Sequence, residues 1–358
     1  AATLNSVSGY SDEALGTVIL PDGRTKQVTA AVAGRLQQSG PDAPGVLLAL
    51  PEGLLRIGLA LFRYDCSVTG EDPLTFATIE QHAVLAEQWG FDSLWLSERI
   101  AADGPDPVVG MAFAVARTTR LKVGMSVMVL PGRNPVLVAK SLASLDRLSD
   151  GRLLPAFGLG VADAGEQQAF GVARGERAKI FDEALPLIRR LWTEDSVDHD
   201  GTYFHLEGAV VRPKPVQQPL DVWLGGQAPS ELRRVGRLGD GWLPSFCDAE
   251  DVRRGKAAIE AAADEAGRSI DPEHFGALVA YAEGGEVPDV LAQFIRKRRP
   301  DLDDPRRIVP ASLPELRARL EEMTEAGASK FVVLPLAEPA DWADHLGAVA
   351  DAVLPLTR

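Results

Sequence analysis

Cysteine is almost missing from this chain of 358 residues, which has two, Cys66 and Cys247. They stand far apart and in no ligand spacing, which excludes a disulfide framework and a thiolate metal site. Histidine is nearly as scarce. The five present, His82, His199, His205, His274 and His345, include no i,i+4 pair, so no metal centre is expected. No apolar run approaches the roughly 20 residues that a membrane-spanning helix requires. The first residues lack the basic stretch and apolar run of a secretory signal, and a reducing, cytoplasmic setting is the expectation. Lysine and arginine are outnumbered by acids, 37 to 51, and the net charge of −14 argues against a nucleic-acid partner. Neither a G-x-S-x-G elbow nor a P-loop is found, which removes two common hydrolytic readings.

What is present is an ordinary globular balance, 46% apolar and 25% charged residues. The length suits one α/β barrel of roughly 250 residues or more, or two smaller domains. The most informative stretch is LKVGMSVMVLPGRNP, residues 121–135. Val123, Met125, Val127, Val129 and Leu130 make it near-continuously apolar, the mark of a strand covered on both faces in a parallel sheet. It stops at Pro131-Gly132, and Asn134-Pro135 opens a run of helical spacing through Leu148.

Residues 1–54 read differently, as an N-terminal extension without an assignable role. Pro21-Asp22-Gly23 punctuates a hairpin, VTAAVAG suits the start of a short helix, and SGPDAPG reads as a linker. Residues 55–358 then alternate. Strands are expected over 56–62, 91–99, 121–130, 153–159, 220–226, 241–244, 274–282 and 329–336. Helical patterns separate them, and an insertion over 283–311 follows strand seven. Within it, RKRR at 296–299 and DLDD at 301–304 read as mixed charge on a solvated segment. Eight strands separated by helices fit a (β/α)₈ TIM barrel, with a doubly wound sheet as the alternative. In either fold, chemistry sits at the carboxyl ends of the strands.

Three places there carry candidate residues. Leu224-Gly225-Gly226-Gln227, ahead of a helix, is either a phosphate cradle or a tight turn that needs glycine for geometry. Gly158-Leu159-Gly160 has aspartate where a third dinucleotide-binding glycine would fall, so close packing of a loop is the better reading. Glu98 and Arg99 end an apolar strand, where a carboxylate suits acid–base work and a guanidinium suits an oxyanion, or where the two make structural ion pairs.

Taken together, FDSLWLSER, GMSVMVLPGRNPVLVAKSLASLDRLSDGRL, AFGLG, EQQAFGVARGERAKIFDEALPLIRRLW, GTYFHLEG with RPKPVQQPLDVWLGG, and RLGDGW resemble, in order, the luciferase-like superfamily. Its members are flavin-dependent monooxygenases and oxidoreductases using the deazaflavin coenzyme F420. The resemblance spans residues 56–358. It implies a barrel with the cofactor across its carboxyl mouth, and a bulge with a non-prolyl cis peptide matched by Ser126-Val127, which favours the F420 branch. It also places Leu159 and Gly160 beside the cofactor and Gly225 and Gly226 at the phosphate, and Leu224 and Gln227 of the same turn are cofactor-binding candidates with them. Arg99 stands where many relatives have histidine, and Val161 where sugar-phosphate dehydrogenases have glutamate, so that reaction is not carried over. The resemblance therefore implies an F420-dependent oxidoreductase acting on a small organic substrate, with Glu98 and Arg99 as catalytic candidates and a homodimer as the usual state. An FMN monooxygenase fed by a reductase and a non-catalytic F420-binding protein are the alternatives.

Overall fold

The computed structural model describes residues 15–19, 25–29, 55–61, 76–101, 104–161 and 163–357. Near the N-terminus β1 (Leu15–Ile19) and β2 (Thr25–Thr29) pair antiparallel, with Ile19 opposite Thr25, and Pro21-Asp22-Gly23 lies outside the described residues. Val28 and Thr29 are thus strand and not the start of a helix. The rest of the VTAAVAG helix, the 39–45 linker, Phe62 and Cys66 lie outside the described residues.

The alternation follows as β3 (Arg56–Leu61), α1 (Phe76–Trp89), β4 (Ser93–Leu96), α2 (Pro107–Val115), β5 (Lys122–Met125), β6 (Met128–Val129) and α3 (Pro135–Leu148). Next come β7 (Leu153–Leu154), β8 (Ala156–Gly158), α4 (Ala164–Phe170), α5 (Arg177–Thr193), β9 (Val197–Asp200) and β10 (His205–Ala209). The chain finishes with β11 (Trp223–Leu224), α6 (Pro229–Leu238), β12 (Gly241–Trp242), α7 (Ala249–Glu265), β13 (Gly276–Tyr281), α8 (Asp289–Arg298), α9 (Leu313–Glu325), β14 (Lys330–Pro335) and α10 (Trp342–Val353).

All barrel pairings are parallel. One ladder runs β13-β14-β3-β4-β5-β7 and a second runs β6-β8-β11-β12. The two join because barrel strands three and four each contribute to both: β5 leads into β6 through Ser126-Val127, whose peptide bond is cis, and β7 into β8 through Pro155. On the other side, parallel bridges Trp242 to Phe275 and Ser245 to Leu278 bring β12 alongside β13 and close the ring. The result is the expected (β/α)₈ barrel of eight strands.

Inside the barrel Trp95 is fully buried and its indole N–H donates to Ser93 Oγ at 2.9 Å. A ring of that size requires bare backbone opposite: a Cβ on Gly124 would lie 2.6 Å from it, and one on Gly58 2.8 Å. Asn134 begins α3 as the sequence suggests, accepting the Val136 N–H at 2.9 Å with Pro135 in the first turn.

Two regions depart from expectation. The polar hairpin β9-β10 interrupts the connection after α5. The insertion after strand seven is also more than a solvated segment. Its Leu291, Ile295, Leu302, Ile308 and Val309 make a second apolar core with Phe246 and Ala282. Arg299, at the end of the RKRR run, is buried and bonds Asp251, Asp301 and the Phe246 carbonyl. Burial of a guanidinium is tolerated because both neighbouring acids and a carbonyl satisfy it.

At the amino end of the barrel, away from the carboxyl mouth, Asp92 accepts from Lys330 Nζ at 2.6 Å and Lys122 Nζ at 2.9 Å. Burial raises the Asp92 pKa, but the two ammonium groups outweigh it and hold the carboxyl well below the usual carboxylate range. Asp92→Ala leaves the buried Lys330 charge without this carboxylate and is expected to cost about 3–5 kcal/mol at neutral pH. A depressed carboxylate contributes stability above its unfolded pKa, near 4, and loses it as pH falls through the lower folded value. Urea melts of both proteins should therefore differ most at neutral pH and converge in acid. A gap that does not narrow in acid contradicts this ion-pair account.

Candidate active site

Barrel strands two to seven deliver residues to a single cavity of about 700 Å³. Ser97, Glu98 and Arg99 follow β4; Ser126 and Val127 join β5 to β6; Leu159 and Gly160 follow β8; Gly225, Gly226 and Gln227 follow β11. With Leu224, all ten residues singled out from the sequence line that one space. Residues 62–72, which follow β3 in the chain, lie outside the described residues.

Strand three forms the cavity's floor. Gly158 has to be bare, because a Cβ there would fall 2.5 Å from Val127 Cγ2. Close packing of the Gly158-Leu159-Gly160 loop is therefore what its glycines serve. Across the floor, a Cβ on Gly225 would stand 3.6 Å from both Val127 Cγ1 and the Leu243 carbonyl, with room to sit but in space the cavity uses.

Glu98 is buried at the side of this floor. It accepts the Val129 N–H at 2.7 Å and pairs with the Arg133 guanidinium, whose Nε donates to the Val129 carbonyl at 3.0 Å. Burial raises the Glu98 pKa above the ordinary glutamate value, against the lowering effects of the Val129 N–H and Arg133. Arg99 is half-buried and donates from Nε to Glu166 at 3.0 Å. Asp163 caps α4 by accepting the Glu166 N–H, which orients that acid.

The glycine turn holds an unforeseen feature. Glu231, in the first turn of α6, accepts the N–H groups of Gln227 and Ala228, both at 2.9 Å. Two donors that the sequence offers to an anion are thus committed to an internal carboxylate. Gln227 Nε2 donates to the Ser245 carbonyl, and Trp242 Nε1 to the Gly226 carbonyl at 2.8 Å, fixing the turn against strand six.

Arg133, Glu166, Arg177 and Glu231 were not among the sequence candidates. Arg177 Nη1 reaches the carbonyls of Leu159, Gly160 and Val161 at 3.0–3.2 Å and sets the loop after β8. An acid three residues after Asp163, and another three after Ala228, each carry the spacing of a helix-start cap. No local pattern announces Arg133 or Arg177.

Among known proteins, the sequence is 34% identical over 171 residues to the F420-dependent glucose-6-phosphate dehydrogenase of Kineococcus radiotolerans, covering 45% of this chain and 50% of that protein. The chain thus spans about half the length of this curated relative. The fold resembles the monooxygenase RslO1 of Streptomyces bottropensis, with TM-score 0.69 and 23% identity over 84% of this chain and 99% of that one. It also resembles an F420-dependent secondary alcohol dehydrogenase in complex with an F420-acetone adduct, with TM-score 0.69 and 21% identity over 85% and 99% of the two chains. The sequence profile of the luciferase-like monooxygenases matches residues 58–349. The chain belongs to the luciferase-like monooxygenase family.

Proposed function

We propose that this cavity binds coenzyme F420 and that the protein is an oxidoreductase exchanging a hydride between the deazaflavin and a small organic substrate. One observation carries the reading: Val127 and Gly225 face each other at the cavity floor, 3.6 Å from a Cβ placed on the glycine. The two positions that the family resemblance gives to the ring and to the phosphate are therefore neighbours. The F420-dependent relatives named above support the same cofactor.

The residues present fit such a group. Ser126, Val127, Leu159 and Gly160 would hold the ring, and Leu224, Gly225, Gly226 and Gln227 the phosphate-bearing chain, because bare glycine lets backbone approach closely. When bound, the deazaflavin supplies two-electron hydride chemistry. The chain's own part is position and proton handling. An alcohol that gives up a hydride also releases its hydroxyl proton, and Glu98 would take it. Its raised pKa makes its carboxylate a better base than an exposed glutamate. Arg99, steadied by Glu166, would hold a carbonyl or carboxylate oxygen of the substrate.

Titration followed by tryptophan fluorescence should show tight binding of F420, weakened about tenfold or more in Gly225→Val, whose branched side chain enters the space beside Val127. Binding of FMN in preference to F420 would overturn the cofactor reading. Glu98→Gln should retain F420 affinity within about threefold, yet lower kcat for alcohol oxidation on the order of 10²-fold. Unchanged turnover removes Glu98 from catalysis.

The pH profile gives a second check. The base must be ionised, so oxidation should rise with pH through the raised Glu98 pKa. Arg133→Met removes a charge that lowers that pKa, and its rising limb should lie at higher pH than in the parent protein. Superimposed profiles would contradict the assignment.

A further inference from the structure

We infer that Glu231 selects which phosphate the glycine turn accepts, favouring the singly charged phosphodiester of F420 over the doubly charged phosphomonoester of FMN. The inference rests on reading this cavity as the cofactor site, and it assigns Glu231 a discriminating role there.

The N-terminus of α6 presents backbone N–H groups and a partial positive charge, which together favour an anion. Here an anion is already built in. The Glu231 carboxylate accepts from Gln227 and Ala228, and it stands against the turn itself: a Cβ on Gly226, whose φ is +99°, would lie 2.5 Å from Glu231 Oε2. A phosphate settling over Gly225 and Gly226 therefore meets a carboxylate at close range and finds two nearby donors in use.

Two neighbouring cations are partly engaged. Arg177, at the start of α5, interacts electrostatically with Glu231 but directs Nη1 to the carbonyls of Leu159, Gly160 and Val161. Arg234, one turn along α6, is held by Asp182 through Nε. Their attraction scales with ligand charge as the repulsion does, so the part played by Glu231 is isolated by removing its charge alone.

Repulsion from Glu231 scales with the charge brought to the turn and is strongest where water is scarce. The phosphodiester of F420 carries one negative charge. A phosphomonoester has a second pKa of about 6 and carries about two at neutral pH. Glu231 therefore penalises FMN more than F420, and an uncharged flavin such as riboflavin not at all.

The test is a set of fluorescence titrations at neutral pH of the parent protein, Glu231→Gln and Glu231→Asp with F420, FMN and riboflavin. Glutamine suits the same cap position, so this variant removes the charge while keeping an acceptor at the helix start. The expected result is FMN binding tightened about tenfold or more in Glu231→Gln, F420 changed by less than about threefold, riboflavin unchanged, and Glu231→Asp close to the parent. Three results overturn the inference: FMN unaffected, FMN and F420 shifted together, or riboflavin shifted as much as FMN, which would mark a change of shape. If the parent protein and the variants bind neither F420 nor FMN, the cofactor reading fails and the inference with it. Binding of F420 by all three proteins with a constant preference defeats the inference alone.

Discussion

A buried carboxylate ties together the parts of this barrel mouth that would otherwise be free to move apart. Glu98 leaves the end of strand two, accepts the backbone N–H of Val129 just beyond the break in strand three, and pairs with Arg133 in the loop after it. Arg133 in turn binds the Val129 carbonyl and lies over the Phe170 ring at the end of α4, 5.8 Å from its centroid. Strand two, the interrupted strand and a helix on the far side of the loop are thus referenced to one group. Burying an acid is unfavourable in itself, and a charged donor and a backbone donor offset that cost. The same burial leaves Glu98 more ready to hold a proton.

The opposite wall is built on the same logic with a different outcome. There Glu231 satisfies helix-start N–H groups that would otherwise await an anion, and Trp242 and Gln227 fasten the turn to strand six. One carboxylate braces the floor and the other occupies two N–H groups of the glycine turn. Between them lies a cavity lined in part by apolar side chains and glycine backbone, such as Val127, Leu159, Gly225 and Leu243, and in part by charged side chains, such as Arg99, Arg234, Asp251 and Arg298.

The architecture was legible because strands covered on both faces write themselves as apolar runs, as in residues 121–130, and because helices between them carry caps such as Asn134-Pro135. That the ten candidate residues line one cavity has a related reason: a barrel gathers its strand ends at one mouth, so Glu98, Ser126 and Gly225 could be found by locating strand ends. The partners of those residues could not. Arg133, Arg177 and Glu231 act through side-chain bonds to loop backbone, and those depend on tertiary approach without leaving a period in the sequence. The hairpin β9-β10 escaped because its strands bury little; in β9 Val197 is buried while its neighbours face water. In the RKRR run, composition could not separate the exposed Arg296, Lys297 and Arg298 from the buried Arg299.

The central claim is that the strand-three bulge and the glycine turn form one deazaflavin site. A crystal structure of the protein soaked with oxidised F420 tests it most directly. The account expects density for the ring against Ser126 and Val127 and for the phosphate at Gly225 and Gly226. Ordered F420 elsewhere on the protein, or a mouth left empty at saturating cofactor, would contradict it.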